Sequence, residues 1–125
     1  MDFIATPDAP DAIGPYSQAV KSNGILYCSG QIALDPETME IVGASAAEQA
    51  EQVLANLGAV LAQGGSAFAT VLKTTIFLKD MDDFAAVNAV YARAFGDHRP
   101  ARATVAVRTL PKDVLVEIDA IAEAR

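Results

Sequence analysis

The sequence has few of the residues from which disulfides, metal sites and nucleophilic triads are built. It contains one cysteine, one histidine and no tryptophan. The lone Cys28 can form no disulfide within the chain, which favours a cytoplasmic location. A zinc site would need mostly carboxylate ligands, and a Ser-His-Asp triad would have to use His98 in a loop-like place, so we predict neither.

Long apolar runs and an excess of positive charge are also missing. No segment has the roughly 18 consecutive apolar residues of a membrane span, and no basic stretch leads into an apolar one as in a secretory signal. The formal charge is −7, from 16 acidic and 9 basic residues. Nucleic-acid backbones are bound through basic surfaces, so we expect neither a membrane nor a nucleic acid as a partner.

The residues that are present predict one domain, spanning residues 1–125, with a substantial apolar core. Apolar side chains make up 52% of the chain. Asn23-Gly24 lies between two strand-like runs, 17–22 and 25–29, and predicts a β-hairpin. Ser45 and Glu48 have the spacing of a capping box at the start of a helix. That helix carries an apolar stripe and ends at a glycine pair: Ala50, Val53, Leu54, Leu57, Val60, Leu61, then Gly64-Gly65.

The remaining elements complete an α+β pattern. A turn is predicted at 35–40, a strand at 70–79, a second helix at 82–95, and strands at 102–109 and 113–122. In the strand at 70–79, alternation groups Leu72, Thr74, Ile76 and Leu78 on one face. This order of elements predicts a mixed β-sheet with two helices packed on one of its faces.

The last two strands carry charges where a core is expected. Alternation puts Arg102 and Thr104 on one face of the first strand and Glu117 on one face of the second. If the fully apolar faces lie under the helices, these three side chains share the opposite face. A hairpin turn at "TLPK" would set Thr104 opposite Glu117 and Arg102 diagonal to it, so we predict that Arg102 and Glu117 share one small site. An ordinary cross-strand ion pair is the alternative.

That second face of the sheet is too apolar to remain in contact with water. It carries Leu115 and Ile121, with Phe77 or Val71 from the strand at 70–79. Only two helices are predicted, and they suit the other face. The sequence therefore favours self-association, with the sheets of several subunits facing inward and clefts forming between them.

Four segments in colinear order carry a family resemblance. "AIGPYSQAV", "YCSGQIALDP", "VLKTTIFLKDMDDFAAVNAVYARAF" and "RPARATVAVRTLPKDVLVEIDAIA" together resemble the RidA family, also called the YjgF or endoribonuclease L-PSP family. The resemblance implies a fold like bacterial chorismate mutase, assembled as a homotrimer with ligand clefts between subunits. It implies hydrolysis of reactive 2-imino and 2-enamino acids, such as 2-iminobutanoate and 2-iminopropanoate, to 2-keto acids and ammonia. It also implies that no metal or organic cofactor is used.

The resemblance assigns roles to five residues of this sequence. Arg102, in "PAR", would grip the substrate carboxylate, and Glu117, in "VEIDAIA", would position the attacking water. Tyr16 and Asn88 would help to form the pocket, and the backbone of Gly30 would lie beside the ligand. Arginine suits a carboxylate because it can donate two parallel hydrogen bonds, and a carboxylate can orient and deprotonate a water.

The sequence departs from the family pattern at two positions of interest. Thr104 stands where many deaminases have cysteine, although its backbone can still serve in binding substrate, and Arg99 stands where an aromatic residue often precedes the motif proline. Purely structural roles remain open for Tyr16, Gly30 and Asn88. Two other functions also remain open: an endoribonuclease or translation inhibitor, and a trimer that binds metabolites without catalysis.

Overall fold

The computed structural model describes residues 1–125 and contains one six-stranded sheet covered on one face by two helices. The sheet order is β1-β2-β3-β6-β4-β5, and only the β4–β5 pair is parallel. This confirms the α+β prediction of a mixed sheet with two helices on one face. The elements are β1 (Asp2–Ile4), β2 (Ala19–Ser22), β3 (Ile25–Gln31), α1 (Ala46–Gln63), β4 (Val71–Leu78), α2 (Phe84–Phe95), β5 (Ala101–Ala106) and β6 (Val116–Glu123).

Local sequence signals account for the hairpin and for α1. Asn23 and Gly24 both adopt positive φ between β2 and β3, as a tight hairpin turn requires. The backbone N–H of Glu48 donates to the Ser45 hydroxyl oxygen at 3.2 Å, so Ser45 caps α1 as predicted. The whole predicted stripe of α1 is buried against the sheet, and these residues form much of the core.

The strand β4 differs from simple alternation at its first residues. A β-bulge between Val71 and Lys73 shifts the register, so Val71 is buried while Leu72 is 43% exposed. The prediction that Leu72 shares the covered face with Thr74 is therefore wrong. From Lys73 onward the alternation is regular, and Thr74, Ile76 and Leu78 lie under the helices as predicted.

The predicted hairpin between the last two strands is wrong. β5 pairs in parallel with β4, to which α2 connects it, while β6 lies on the other side of β4 and also pairs with β3. The physical reason is burial: one face of β6 is uniformly apolar and almost fully buried, as suits a central strand, whereas β5 is mostly exposed and forms an edge. Residues 107–115 therefore form a loop with a short 3₁₀ turn rather than a tight turn.

The face of the sheet opposite the helices is open and partly apolar. We call it the open face; among the side chains on it, Phe3 is 72% exposed, Tyr27 50% and Val105 41%. β1, too short to give a periodic signal, extends this face at the sheet edge and was not predicted. Neither helix of the chain is long and apolar enough to cross a membrane.

Candidate active site

Glu117 lies on the open face, where its carboxylate rests against the backbone of β3. A Cβ placed on Gly30 would lie 2.4 Å from Oε2 of Glu117 and 2.9 Å from its Cδ. Any side chain at position 30 would therefore collide with the carboxylate. Glycine at this position lets Glu117 occupy the space directly above the strand, so the two predicted residues do meet.

The surroundings of Glu117 favour its protonated form. Burial raises the pKa of the Glu117 carboxyl above its ordinary value, and the negative charge of Asp119, two residues along the same face of β6, raises that pKa further. A carboxylate with a raised pKa is a stronger proton acceptor than an ordinary surface glutamate. The arrangement therefore suits a general base.

Tyr16 closes the same pocket from the N-terminal segment. A cavity of about 410 Å³ is lined by Glu117, Gly30, Ser29 and Tyr16, together with Pro10, Asp11, Ile13, Gln18, Gln31, Ile32, Leu34 and Pro111. The Tyr16 hydroxyl oxygen accepts a hydrogen bond from the backbone N–H of Ile13 at 3.3 Å, which folds the ring back over residues 13–16. We call this cavity the glutamate half-site.

Two buried amide side chains hold the walls of the glutamate half-site. Gln18 accepts from the backbone N–H of Thr6 at 2.8 Å and donates to the carbonyl of Pro10 at 2.8 Å, which fixes the rim segment. Asn56 of α1 donates to the carbonyls of Ile32 and Leu34. Neither role was predicted from the sequence; Gln18 lies within "GPYSQ", but its partners become visible only in the fold.

Arg102 lies on the opposite, helix-covered face of the sheet. Its Nη1 donates to Oδ1 of Asn88 at 2.8 Å, so these two residues, both predicted to belong to the site, lie in contact. The guanidinium carbon lies 4.9 Å from the ring centre of Tyr91 and 5.6 Å from that of Phe84. Tyr91 is fixed in turn by its hydroxyl, 2.7 Å from that of the buried Thr74.

Phe84 and Tyr91 also contact Arg102, a role that was not predicted from the sequence. Phe84, Asn88 and Tyr91 follow one another at helical spacing on the apolar stripe of α2. Their spacing was visible in the sequence, but an aromatic stripe on a helix indicates core packing first. A cavity of about 530 Å³, which we call the arginine half-site, is lined by Arg102, Asn88 and Tyr91, together with Ala92, Phe95, Arg99 and Pro100.

The prediction that Arg102 and Glu117 share a site within one chain is wrong. In the sheet register, Arg102 pairs with Thr74 and Glu117 pairs with Phe77. Paired residues share a face, and positions 74 and 77 of a strand point to opposite faces. The chain therefore carries these two cavities on the two sides of its sheet, and neither contains both residues.

Thr104 lies with Arg102 rather than with Glu117. It pairs with Ile76 on the helix-covered face, so the predicted pairing with Glu117 is also wrong. Its hydroxyl oxygen is buried and has no hydrogen-bond partner in the chain. No group of three or more His, Cys, Asp or Glu side chains lies close enough together to hold a metal ion.

Comparison with known proteins extends along nearly the whole chain. Residues 6–124 match the family described as endoribonuclease L-PSP. A RutC family protein from Synechocystis is 57% identical over 124 residues, covering 98% of this chain and 95% of that protein. The chloroplastic Reactive Intermediate Deaminase A of Arabidopsis thaliana is 45% identical, covering 97% of this chain and 65% of that protein. The crystal structure of E. coli TdcF with bound serine superposes with a TM-score of 0.94 at 41% identity, covering 100% of both chains.

Proposed function

The chain belongs to the endoribonuclease L-PSP family, which is also the RidA or RutC family, and from this premise we propose that it is a reactive-intermediate deaminase. Its proposed substrates are small 2-imino acids and their enamine tautomers, such as 2-iminobutanoate and 2-iminopropanoate. Water replaces the imine nitrogen, so that a 2-imino acid and water give a 2-keto acid and ammonia. No metal or organic cofactor takes part in this proposal.

The observation that carries the proposal is the division of the predicted residues into two half-sites with complementary chemistry. The arginine half-site offers a guanidinium, and the glutamate half-site offers a carboxylate with a raised pKa. Binding an imino acid needs the first, and activating a water needs the second. Because they lie on opposite faces of one sheet, we infer that a second copy supplies the missing half.

A homotrimer would supply these halves in a closed ring. The open face is partly apolar and exposed in the single chain, and contact with another copy would cover it. Each interface would bring the edge formed by α2 and β5 of one copy to the open face of the next. Such head-to-tail contacts close into a ring with three equivalent clefts, each combining Arg102 of one copy with Glu117 of its neighbour.

The arginine half-site would hold the substrate carboxylate. Asn88 occupies Nη1 of Arg102, so Nη2 and Nε remain as an adjacent pair of donors for two parallel hydrogen bonds. The rings of Tyr91 and Phe84 limit the movement of the guanidinium. This preorganisation would fix the position of C2, the carbon bonded to the imine nitrogen.

The glutamate half-site would deliver the water. Glu117 in its ionised form accepts a proton from a water that attacks C2 and gives a tetrahedral carbinolamine. Glu117 then gives this proton to the nitrogen and takes the proton of the new hydroxyl group, so the C–N bond breaks and ammonia leaves as the carbonyl forms. Tyr16 and the rim segment held by Gln18 would shield this cleft from bulk water.

Ribonuclease activity, which the family description also names, has less support in this chain. The net charge of −7 disfavours binding to a phosphate backbone, which needs a basic surface. The Nε2 atom of the only histidine, His98, lies 2.6 Å from the carbonyl oxygen of Val71, so it is already engaged in the fold. General acid–base cleavage of RNA would need other groups.

The proposal is tested by generating 2-iminobutanoate from threonine with a dehydratase and trapping the surviving imine with semicarbazide. We expect the protein to accelerate imine loss, and Glu117→Gln to remove the acceleration while 2-oxobutanoate still binds in calorimetric titration. An unaccelerated reaction with wild-type protein would contradict the deaminase assignment. Full activity of Glu117→Gln would show that Glu117 is not the base.

A further inference from the structure

A second arginine lies in the arginine half-site without an acidic partner. Arg99 and Arg102 line the same cavity of about 530 Å³, and no acidic side chain lines it. The chain has 16 acidic residues, yet its only two ion pairs are Lys79–Asp113 and Arg93–Glu51. Within one copy, these two neighbouring arginines thus have no acidic partner, although the protein has a net charge of −7. That arrangement favours an anionic ligand at this cavity.

Backbone carbonyls hold one nitrogen of the Arg99 guanidinium and leave its other donors free. Nη1 of Arg99 donates to the carbonyls of His98, at 3.0 Å, and Gly96, at the end of α2. Neither Nη2 nor Nε makes a hydrogen bond within the chain, and Arg99 is exposed. The contact between His98 and the Val71 carbonyl ties the same loop to β4. Arg99 is therefore held at the cavity rim with an edge of its guanidinium available.

The spacing of the two arginines suits a ligand with two negative groups. Three residues of extended chain separate their Cα atoms by at most about 11 Å. Two long side chains from these positions can approach the opposite ends of a molecule of four or five carbons. A monocarboxylate would engage Arg102 alone, because it has no second charge to offer Arg99.

We propose that Arg99 selects dicarboxylic 2-imino acids, an inference that rests on the proposed deaminase function. Arg102 would bind the carboxylate next to the imine carbon, and Arg99 would bind the distal carboxylate. The reaction is the same hydrolysis: 2-iminoglutarate and water give 2-oxoglutarate and ammonia, and 2-iminosuccinate and water give oxaloacetate and ammonia. Arg99 is a specificity-determining residue in this scheme, not part of the proton transfer.

Product-analogue binding tests this preference directly. Titration of wild-type protein should show 2-oxoglutarate binding about 5- to 20-fold more tightly than 2-oxobutanoate. This gain in affinity lies between that of an exposed ion pair and that of a buried charge-assisted hydrogen bond. Arg99→Gln should remove the difference while leaving 2-oxobutanoate affinity within about 2-fold, and Arg99→Lys should retain part of it. Arg93→Gln is the matched control, since it removes a charge from α2 outside the cavity and should leave the ratio unchanged.

The outcomes separate this inference from the function on which it rests. Equal affinities for the two keto acids in the wild type, or a preference that survives Arg99→Gln, would overturn the role of Arg99 and leave the deaminase intact. An equal loss of affinity for both keto acids in Arg99→Gln would also overturn it, because Arg99 would then only maintain the structure of its loop. Absence of imine hydrolysis with every substrate would instead refute the deaminase function itself.

Discussion

Replacing Gly30 with alanine should disable the protein without unfolding it. The added methyl group would lie 2.4 Å from Oε2, 2.9 Å from Cδ and 3.1 Å from Cγ of Glu117, far inside van der Waals contact. The three atoms nearest to it all belong to that one flexible side chain. Glu117 is half-buried and can rotate away, so the backbone of β3 need not move.

Gly30→Ala should change the stability of the protein little and its catalytic rate strongly. The φ of Gly30 is not positive, and alanine in a strand is favoured over glycine by about 0.5–1 kcal/mol, which offsets part of the cost of displacing Glu117. We therefore expect the free energy of unfolding to change by less than about 1 kcal/mol. To relieve the 2.4 Å contact with the added methyl group, the Glu117 carboxylate must move by about 1 Å. A displacement of that size in a catalytic group lowers the reaction rate by about 100-fold.

Both effects can be measured on one preparation. The dehydratase-coupled assay gives the rate of imine hydrolysis, and thermal unfolding gives the change in stability. Gly14→Ala is the matched control, because a Cβ there makes ordinary contacts of 3.5 Å with the Tyr16 ring and lies away from Glu117. It should retain most of the activity. Hydrolysis by Gly30→Ala at the wild-type rate would refute the reasoning, since Glu117 could then act from a different position.

One further substitution and one pH profile test the chemistry of the half-sites. Arg102→Lys keeps the charge but loses the paired donors, so kcat/KM should fall by at least about 10-fold with unfolding unchanged; an unaltered kcat/KM would return Arg102 to a structural role. In the substrate complex the bound carboxylate offsets the charge of Arg102, so Arg102 does not lower the pKa of Glu117 there. That pKa is raised above 4.5, the ordinary value for glutamate. Because Glu117 must be ionised to act as the base, kcat should rise with pH as Glu117 loses its proton, with a midpoint above 4.5. A pH–kcat profile that is flat from pH 4 to 8, or one whose rising limb persists in Glu117→Gln, would exclude this titration.

The sequence predicts the parts of the fold that depend on neighbouring residues. The turn at Asn23-Gly24 and the cap at Ser45 are local devices, and the apolar stripe of α1 repeats at helical spacing, so each was correctly located. The bulge beside Leu72 was missed because a single extra residue leaves no mark on composition.

Strand order is where reasoning from the sequence failed. The alternation in β5 and β6 fits a hairpin as well as it fits two strands separated by β4. Positive φ at Lys112 and Asp113, which shapes the intervening loop, has no clear signal in those residue types. The motifs drew attention to Arg102 and Glu117, but whether they share a face depends on which strand lies beside β5, and that choice is made by burial across the whole sheet.

Mixing two inactive variants tests the composite site most directly. Arg102→Ala destroys one half-site and Glu117→Gln the other, so each homotrimer should be inactive. In trimers reassembled from equal amounts of both, a cleft is intact when one copy supplies Arg102 and its neighbour Glu117, which predicts recovery of about one quarter of wild-type imine hydrolysis. Activity no greater than the sum of the two separate variants, in trimers shown by native mass spectrometry to be mixed, would contradict a site shared between copies.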